Sequence, residues 1–230
     1  RISLPVPPRS CVVSLVVRDA QGVWGDVSSV RLAWVGPPVP LKPGRLFLLA
    51  IGVSQYADPW LDLAWAHKDA ADIAALFSRQ RGGLYQDVSL TILTNAAATR
   101  QRIFEALTSL GERARAEDTV LVFFAGHGHG TADGRYYLLP HDADRLRFEE
   151  TALKAGDIRR HIAAIRARVG VFLDACYAGS SAGAWAPPDT DSTANDFSAP
   201  ECGAAVLASS TGEEQSLELA LWQNGLFTSS

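Results

Sequence analysis

Three apolar runs dominate the chain: Leu46–Val53 (LFLLAIGV), Thr119–Phe124 (TVLVFF) and Val169–Asp174 (VGVFLD). A strand with one wet face alternates apolar and polar residues, whereas a strand covered on both faces does not. These runs therefore belong to the middle of a sheet with both faces buried. The intervening stretches follow the helix period. Trp65–Gln80 carries Ala66, Ala70, Ile73, Ala74 and Phe77 near one face. Thr99 can cap a helix running to about Arg115, with Ile103, Phe104, Leu107 and Leu110 inward. Ala155–Arg166 reads as a third helix, and Val88–Leu93, Tyr136–Leu139 and Ala204–Ala208 as further strands. Such alternation predicts an α/β fold with a mostly parallel sheet between two helical layers. Ser180–Pro200, rich in Ala, Ser, Pro and Asp, reads as a mobile loop.

The first 44 residues follow another pattern. Seven of the 12 prolines fall within the first 43 residues. Cys11–Asp19 and Val30–Val35 read as strands, with a turn signal at Ala20-Gln21-Gly22. Two or three strands cannot bury a core alone, so residues 1–35 read as the last strands of a truncated β-sandwich-like module. Residues 36–44 form a Pro-rich linker. RISLPVPPRS has no starting Met and no apolar signal core, so the chain reads as part of a longer protein with other domains. No apolar run approaches the roughly 20 residues of a membrane span.

Charge is divided unevenly. All 21 Lys and Arg lie at or before Arg168, against 17 acids there, while residues 169–230 carry eight acids and no base. A nucleic-acid-binding module would show a basic stripe, so no nucleic-acid partner is expected. The acidic region is either a solvated face or a site for a cationic substrate. Three Cys, far apart, exclude a disulfide scaffold and point to a reducing, cytoplasmic setting.

Two of the apolar strands run into reactive residues. The run Thr119–Phe124 leads into Ala125-Gly126-His127-Gly128-His129-Gly130, and the run Val169–Asp174 ends in Asp174-Ala175-Cys176-Tyr177. Parallel strands present their C-terminal ends on one edge of the sheet, where open α/β folds build their sites. His127 and Cys176 can thus meet although 49 residues separate them. Such a pair supplies a nucleophile and a base. The glycines let a substrate backbone approach and leave the Gly128 N–H to serve an oxyanion. His127 and His129 also form a His-x-His pair, but no further ligand set accompanies them, so no metal is expected. Cys11 and Cys202 read as structural, and His67, His141 and His161 carry no strong signal.

Phe123-Phe124-Ala125-Gly126-His127-Gly128 followed by Asp174-Ala175-Cys176-Tyr177-Ala178-Gly179 resembles the caspase-like cysteine peptidases, and most closely their bacterial metacaspase-like (orthocaspase) branch. The resemblance runs from about Arg45 to the end of the chain. Ala50-Ile51-Gly52-Val53-Ser54-Gln55-Tyr56, Lys68-Asp69-Ala70, Tyr137-Leu138-Leu139-Pro140 and Gly225-Leu226-Phe227-Thr228 also carry it.

That resemblance implies a caspase-like α/β/α sandwich over residues 45–230, acting on protein or peptide substrates in bacterial signalling, stress or defence. It implies His127 as base, Cys176 as nucleophile, and the N–H groups of Gly128 and Cys176 as oxyanion hole. Asp174 and Asp69 would line the pocket for the residue before the scissile bond. Asp-cleaving caspases carry Gln and Arg around the Cys where this chain has Asp174 and Tyr177, so Arg or Lys is the expected target. Two positions depart from the metacaspase pattern. Tyr177 stands where many members have His. Ala155-Gly156-Asp157 supplies one acid where calcium-dependent members have an adjacent pair, so no cofactor is expected. The alternative to a peptidase is a catalytically silent caspase-like interaction module.

Overall fold

The computed structural model describes residues 6, 10–15, 28–36, 43–131, 135–177, 204–208, 218–219 and 224–225, with backbone alone at residues 14, 15, 176, 177, 204, 206–208, 218, 219, 224 and 225. The predicted turn at residues 20–22 and the predicted loop at 180–200 lie outside these residues, as does most of the linker. The chain divides into two compact units, residues 1–42 and 43–230.

In the first unit, β1 (Cys11–Leu15) and β2 (Ser28–Leu32) pair antiparallel, from Cys11 opposite Leu32 to Leu15 opposite Ser28. The second strand starts and ends earlier than the predicted Val30–Val35. Its residues are exposed throughout, so pairing rather than burial sets its limits. Trp34, just beyond it, donates its backbone N–H to Ser10 Oγ at 3.0 Å.

The second unit is a curled, mixed sheet between helices. β3 (Leu46–Gly52) lies between β4 (Val88–Thr94) and β5 (Thr119–Gly130), and β5 lies between β3 and β8 (Arg168–Tyr177), which pairs with β9 (Ala204–Ala208). These five strands are parallel. Beyond the end of β3, the last residues of β5 pair antiparallel with β6 (Tyr136–Leu138), which pairs with β7 (Leu153–Lys154).

Burial follows the strand period. Leu46, Leu48 and Ala50 of β3 pack with Leu121, Phe123 and Ala125 of β5 under α1 (Ala66–Ser78). Ala66, Ala70 and Ala74 recur every fourth residue along α1, and their small side chains let the helix sit close to the sheet. On the other face Phe47, Leu49, Ile51, Val120, Val122 and Phe124 meet α2 (Arg100–Arg113) and α4 (Ala155–Ala163). Burying each such side chain is worth about 1.5–3 kcal/mol. Thr99 Oγ1 caps α2, accepting from Arg102 N at 3.3 Å. A clamp ties the opposite end of the sheet: Asp118, just before β5, accepts from Arg45 N and Arg115 N at 2.8 and 3.0 Å, and pairs with Arg45 Nη2 at 2.8 Å. Among the described residues, no helix is long and apolar enough to cross a membrane.

In the second unit the largest boundary differences from the sequence reading are at β5, β8 and α4. β5 does not stop at Phe124 but continues to Gly130, and β8 continues past Asp174 to Tyr177. Glycine disfavours strands, yet here β8 on one edge and β6 on the other supply partners to the Gly-His segment. α4 ends at Ala163, short of the expected Arg166. A short helix, α3 (Phe148–Thr151), precedes β7; neither is visible in the sequence pattern.

Candidate active site

His127 is half-buried in the extension of β5 and held at three points. Its backbone N–H donates to Tyr56 Oη at 2.9 Å, and its carbonyl accepts from Leu139 N at 2.9 Å. Its ring Nε2 lies 3.0 Å from the Leu61 carbonyl oxygen. A carbonyl can only accept, so Nε2 carries the proton and the lone pair of the neutral ring sits on Nδ1. The Tyr56 ring lies alongside the imidazole, with centroids 5.4 Å apart. Tyr56 and Leu61 both belong to the loop between β3 and α1. That loop is pinned by Asp62 Oδ1 accepting from Tyr56 N at 2.8 Å and by Asn95 Oδ1 accepting from Ser54 N at 2.9 Å.

The flanking glycines are required by their neighbours. Gly126 has φ +155°, and a Cβ there would lie 2.9 Å from Tyr56 Oη. A Cβ at Gly128 would lie 1.9 Å from Tyr136 Oη. The space behind Gly128 is thus filled by a tyrosine, a packing reason for glycine beyond the substrate access read from the sequence.

β8 brings the other predicted residues alongside. Its register sets Ala125 opposite Asp174, His127 opposite Cys176 and Gly128 opposite Tyr177. Residues opposite one another in neighbouring strands are about 5 Å apart between backbones. The 49-residue gap is therefore closed by strand pairing. Asp174 is buried, and so is Asp69 in the first turn of α1. Ala66 and Ala70 of α1 pack on Ala125, the register partner of Asp174. Asp69 and Asp174 thus belong to the helix and the strand that border this buried cluster.

Residues 45–230 match the model of the caspase domain family of cysteine peptidases. The chain belongs to the caspase domain family. Its fold is also similar to the crystal structure of protein GSU0716 from Geobacter sulfurreducens, at a TM-score of 0.58 and 18% identity over 80% of this chain and 79% of that one. No curated protein matches the sequence.

Within this caspase domain the remaining histidines stand apart from His127. His129, two residues on, is buried with its ring edge-on to Phe148 at 4.3 Å and 6.5 Å from Tyr137. Burial pushes it down to about 4, against the opposing charge of Glu149, so the ring is neutral near pH 7. Its ring is thus packed among aromatic side chains. His67 Nδ1 lies 2.8 Å from Ser54 Oγ, His141 Nδ1 2.7 Å from the Gln55 carbonyl, and His161 beside Phe104. Asp157, the acid at the start of α4, pairs with Arg160 at 2.5 Å. Among the described residues, no group of three or more His, Cys, Asp or Glu is placed to hold a metal ion.

Two parts of the site have no reading in the sequence. Leu61 acts through its carbonyl, which leaves no mark on residue type. Tyr56 ends the Ala50–Tyr56 motif, but its contact with His127 depends on where the loop returns.

Proposed function

We propose that this domain is an endopeptidase of the metacaspase-like branch, cutting proteins after Arg or Lys, with Cys176 as nucleophile and His127 as base. The observation that carries the reading is the register of His127 with Cys176, together with the Leu61 carbonyl that reserves Nδ1 for chemistry. In the reaction, Nδ1 takes the thiol proton and the thiolate attacks the scissile carbonyl carbon. The oxyanion is met by the backbone N–H groups of Gly128 and Cys176. The imidazolium then gives its proton to the leaving amine, and a thioester remains on Cys176. Water hydrolyses it, with the same imidazole taking the water proton and returning it to the thiolate. Protons and charge balance within the dyad, so the chemistry calls on no cofactor. Asp174 and Asp69 supply the carboxylates of a pocket for a cationic side chain. The setting this fits is regulated cleavage in bacterial signalling, stress or defence.

Quenched peptides differing only in Arg, Lys or Asp before the scissile bond test the reading. Cleavage is expected after Arg and Lys. It should fall roughly 10³-fold or more in Cys176→Ala or His127→Ala, and little further in the double variant, because the two residues act as one unit. Retained cleavage in Cys176→Ala sinks the assignment. A folded wild-type domain that cleaves nothing and whose Cys176 ignores a thiol-reactive probe favours the silent interaction module.

A further inference from the structure

Trp60 is 85% exposed, next in sequence to the residue whose carbonyl holds the His127 ring. Single exposed apolar residues are common. This one differs in its mount. It sits in a short helical turn, Pro59–Leu61, whose backbone is fixed by Asp58: Oδ1 accepts from Trp60 N at 3.1 Å, and the Asp58 carbonyl accepts from Leu61 N at 3.0 Å. Asp58 Oδ2 also pairs with Arg145 Nε at 2.5 Å. Beside Arg145 is Leu146, 92% exposed. The Asp58–Arg145 ion pair thus joins the two segments that carry Trp60 and Leu146, and the first of these also carries the Leu61 carbonyl at the imidazole. Leaving both in water costs apolar hydration that the fold does not recover.

We propose that Trp60 is a specificity residue for the part of the substrate C-terminal to the scissile bond, where it takes an apolar side chain; the inference rests on the peptidase reading above. A protonated imidazole delivers its proton to the leaving amine, so the groups around the imidazole border the leaving half of the substrate. The carboxylates on α1 and β8 border the other half. A flat indole on a rigid turn offers a large contact area at little cost in ordering.

The test uses two quenched peptides identical through the Arg before the scissile bond, one continuing Leu-Leu and the other Gly-Gly. The readout is the ratio of their kcat/KM values. Wild type is expected to favour Leu-Leu by about tenfold, the discrimination an apolar contact of this size gives. Trp60→Ala is expected to bring the ratio near one, and Trp60→Phe to keep most of it. The Gly-Gly peptide controls for folding, since a general loss of activity moves both values and leaves the ratio unchanged. A wild-type ratio near one, or an unchanged ratio in Trp60→Ala, overturns this inference alone. A wild type that cleaves neither peptide overturns the peptidase reading and takes this inference with it.

Discussion

The Leu61 carbonyl oxygen and His127 Nε2 lie 3.0 Å apart, and that single contact decides which face of the imidazole is basic. In a triad, a carboxylate sets the tautomer of its histidine. Here an uncharged backbone acceptor does so, on the loop between β3 and α1. Nothing at residue 61 itself can be mutated to remove the acceptor, so the arrangement is best probed through its neighbours.

Tyr56→Phe is the sharpest of these probes. The change removes the acceptor for His127 N but keeps the ring beside the imidazole. A buried donor left unpaired costs about 1–3 kcal/mol. We expect kcat to fall by roughly tenfold with KM little changed, because the lost bond orients the base rather than the substrate. Steady-state kinetics on one Arg peptide checks this; a change in KM alone would count against it.

Gly128→Ala reads the space behind the site. Its Cβ would meet Tyr136 Oη at 1.9 Å and Cζ at 2.7 Å. Overpacking of this kind costs typically about 1–3 kcal/mol. Adding Tyr136→Phe removes the nearer atom but leaves Cζ too close. The double variant should therefore recover part of the loss in Tm, with a coupling energy of about 0.5–3 kcal/mol. Strictly additive losses would show that the backbone moves aside instead.

Much of this architecture was legible in the sequence, and the exceptions have physical causes. The run Leu46–Val53 signals a central strand because both of its faces are covered, and Thr99 signals a helix start because its hydroxyl can serve an orphan N–H. The Gly-His segment reads as a loop because intrinsic preference speaks against a strand there, while the partners that override it come from β6 and β8, distant in sequence. Phe148–Lys154 holds a helix and a strand too short for any period to show. The pairing of His127 with Cys176 could be anticipated from two strand ends on one sheet edge, but the support from Tyr56 and Leu61 could not, since it arises where a loop returns.

Asp118 gives the fold a pH dependence distant from the site. Burial raises its pKa, but the hydrogen bond from the Arg45 side chain, with the backbone N–H groups of Arg45 and Arg115, outweighs that and holds it below 3.8. A carboxylate depressed in the folded state stabilises the fold at pH values above its ordinary range. That contribution is lost as pH falls from about 4 through the folded value. Asp118→Ala strips the clamp from the starts of β3 and β5 and is expected to cost about 2–4 kcal/mol near neutral pH. Thermal denaturation of both proteins from pH 7 to pH 3 checks this. The Tm gap should narrow below about pH 4, and a constant gap would show that the carboxylate charge contributes nothing.

The specificity prediction rests on the cost of hiding a cation. A substrate Arg entering a pocket beside the nucleophile sheds water, and an unpaired buried guanidinium is expensive. Asp174 precedes Cys176 by two residues on β8, and both it and Asp69, in the first turn of α1, are buried. Two carboxylates there would allow a forked contact with the guanidinium. Deleting one partner of a buried charge pair costs roughly 3–5 kcal/mol. Asp174→Ala should therefore lower kcat/KM for an Arg peptide by two or more orders of magnitude. Asp69→Asn should lower it less, and should hurt Arg more than Lys, because the second carboxylate matters most to the forked head group. Alkylation of Cys176 by iodoacetamide reports separately that the nucleophile survives each change. Preference of the wild type for Asp over Arg, or an Asp174→Ala variant that still cleaves after Arg at full rate, would show that these carboxylates do not form the pocket.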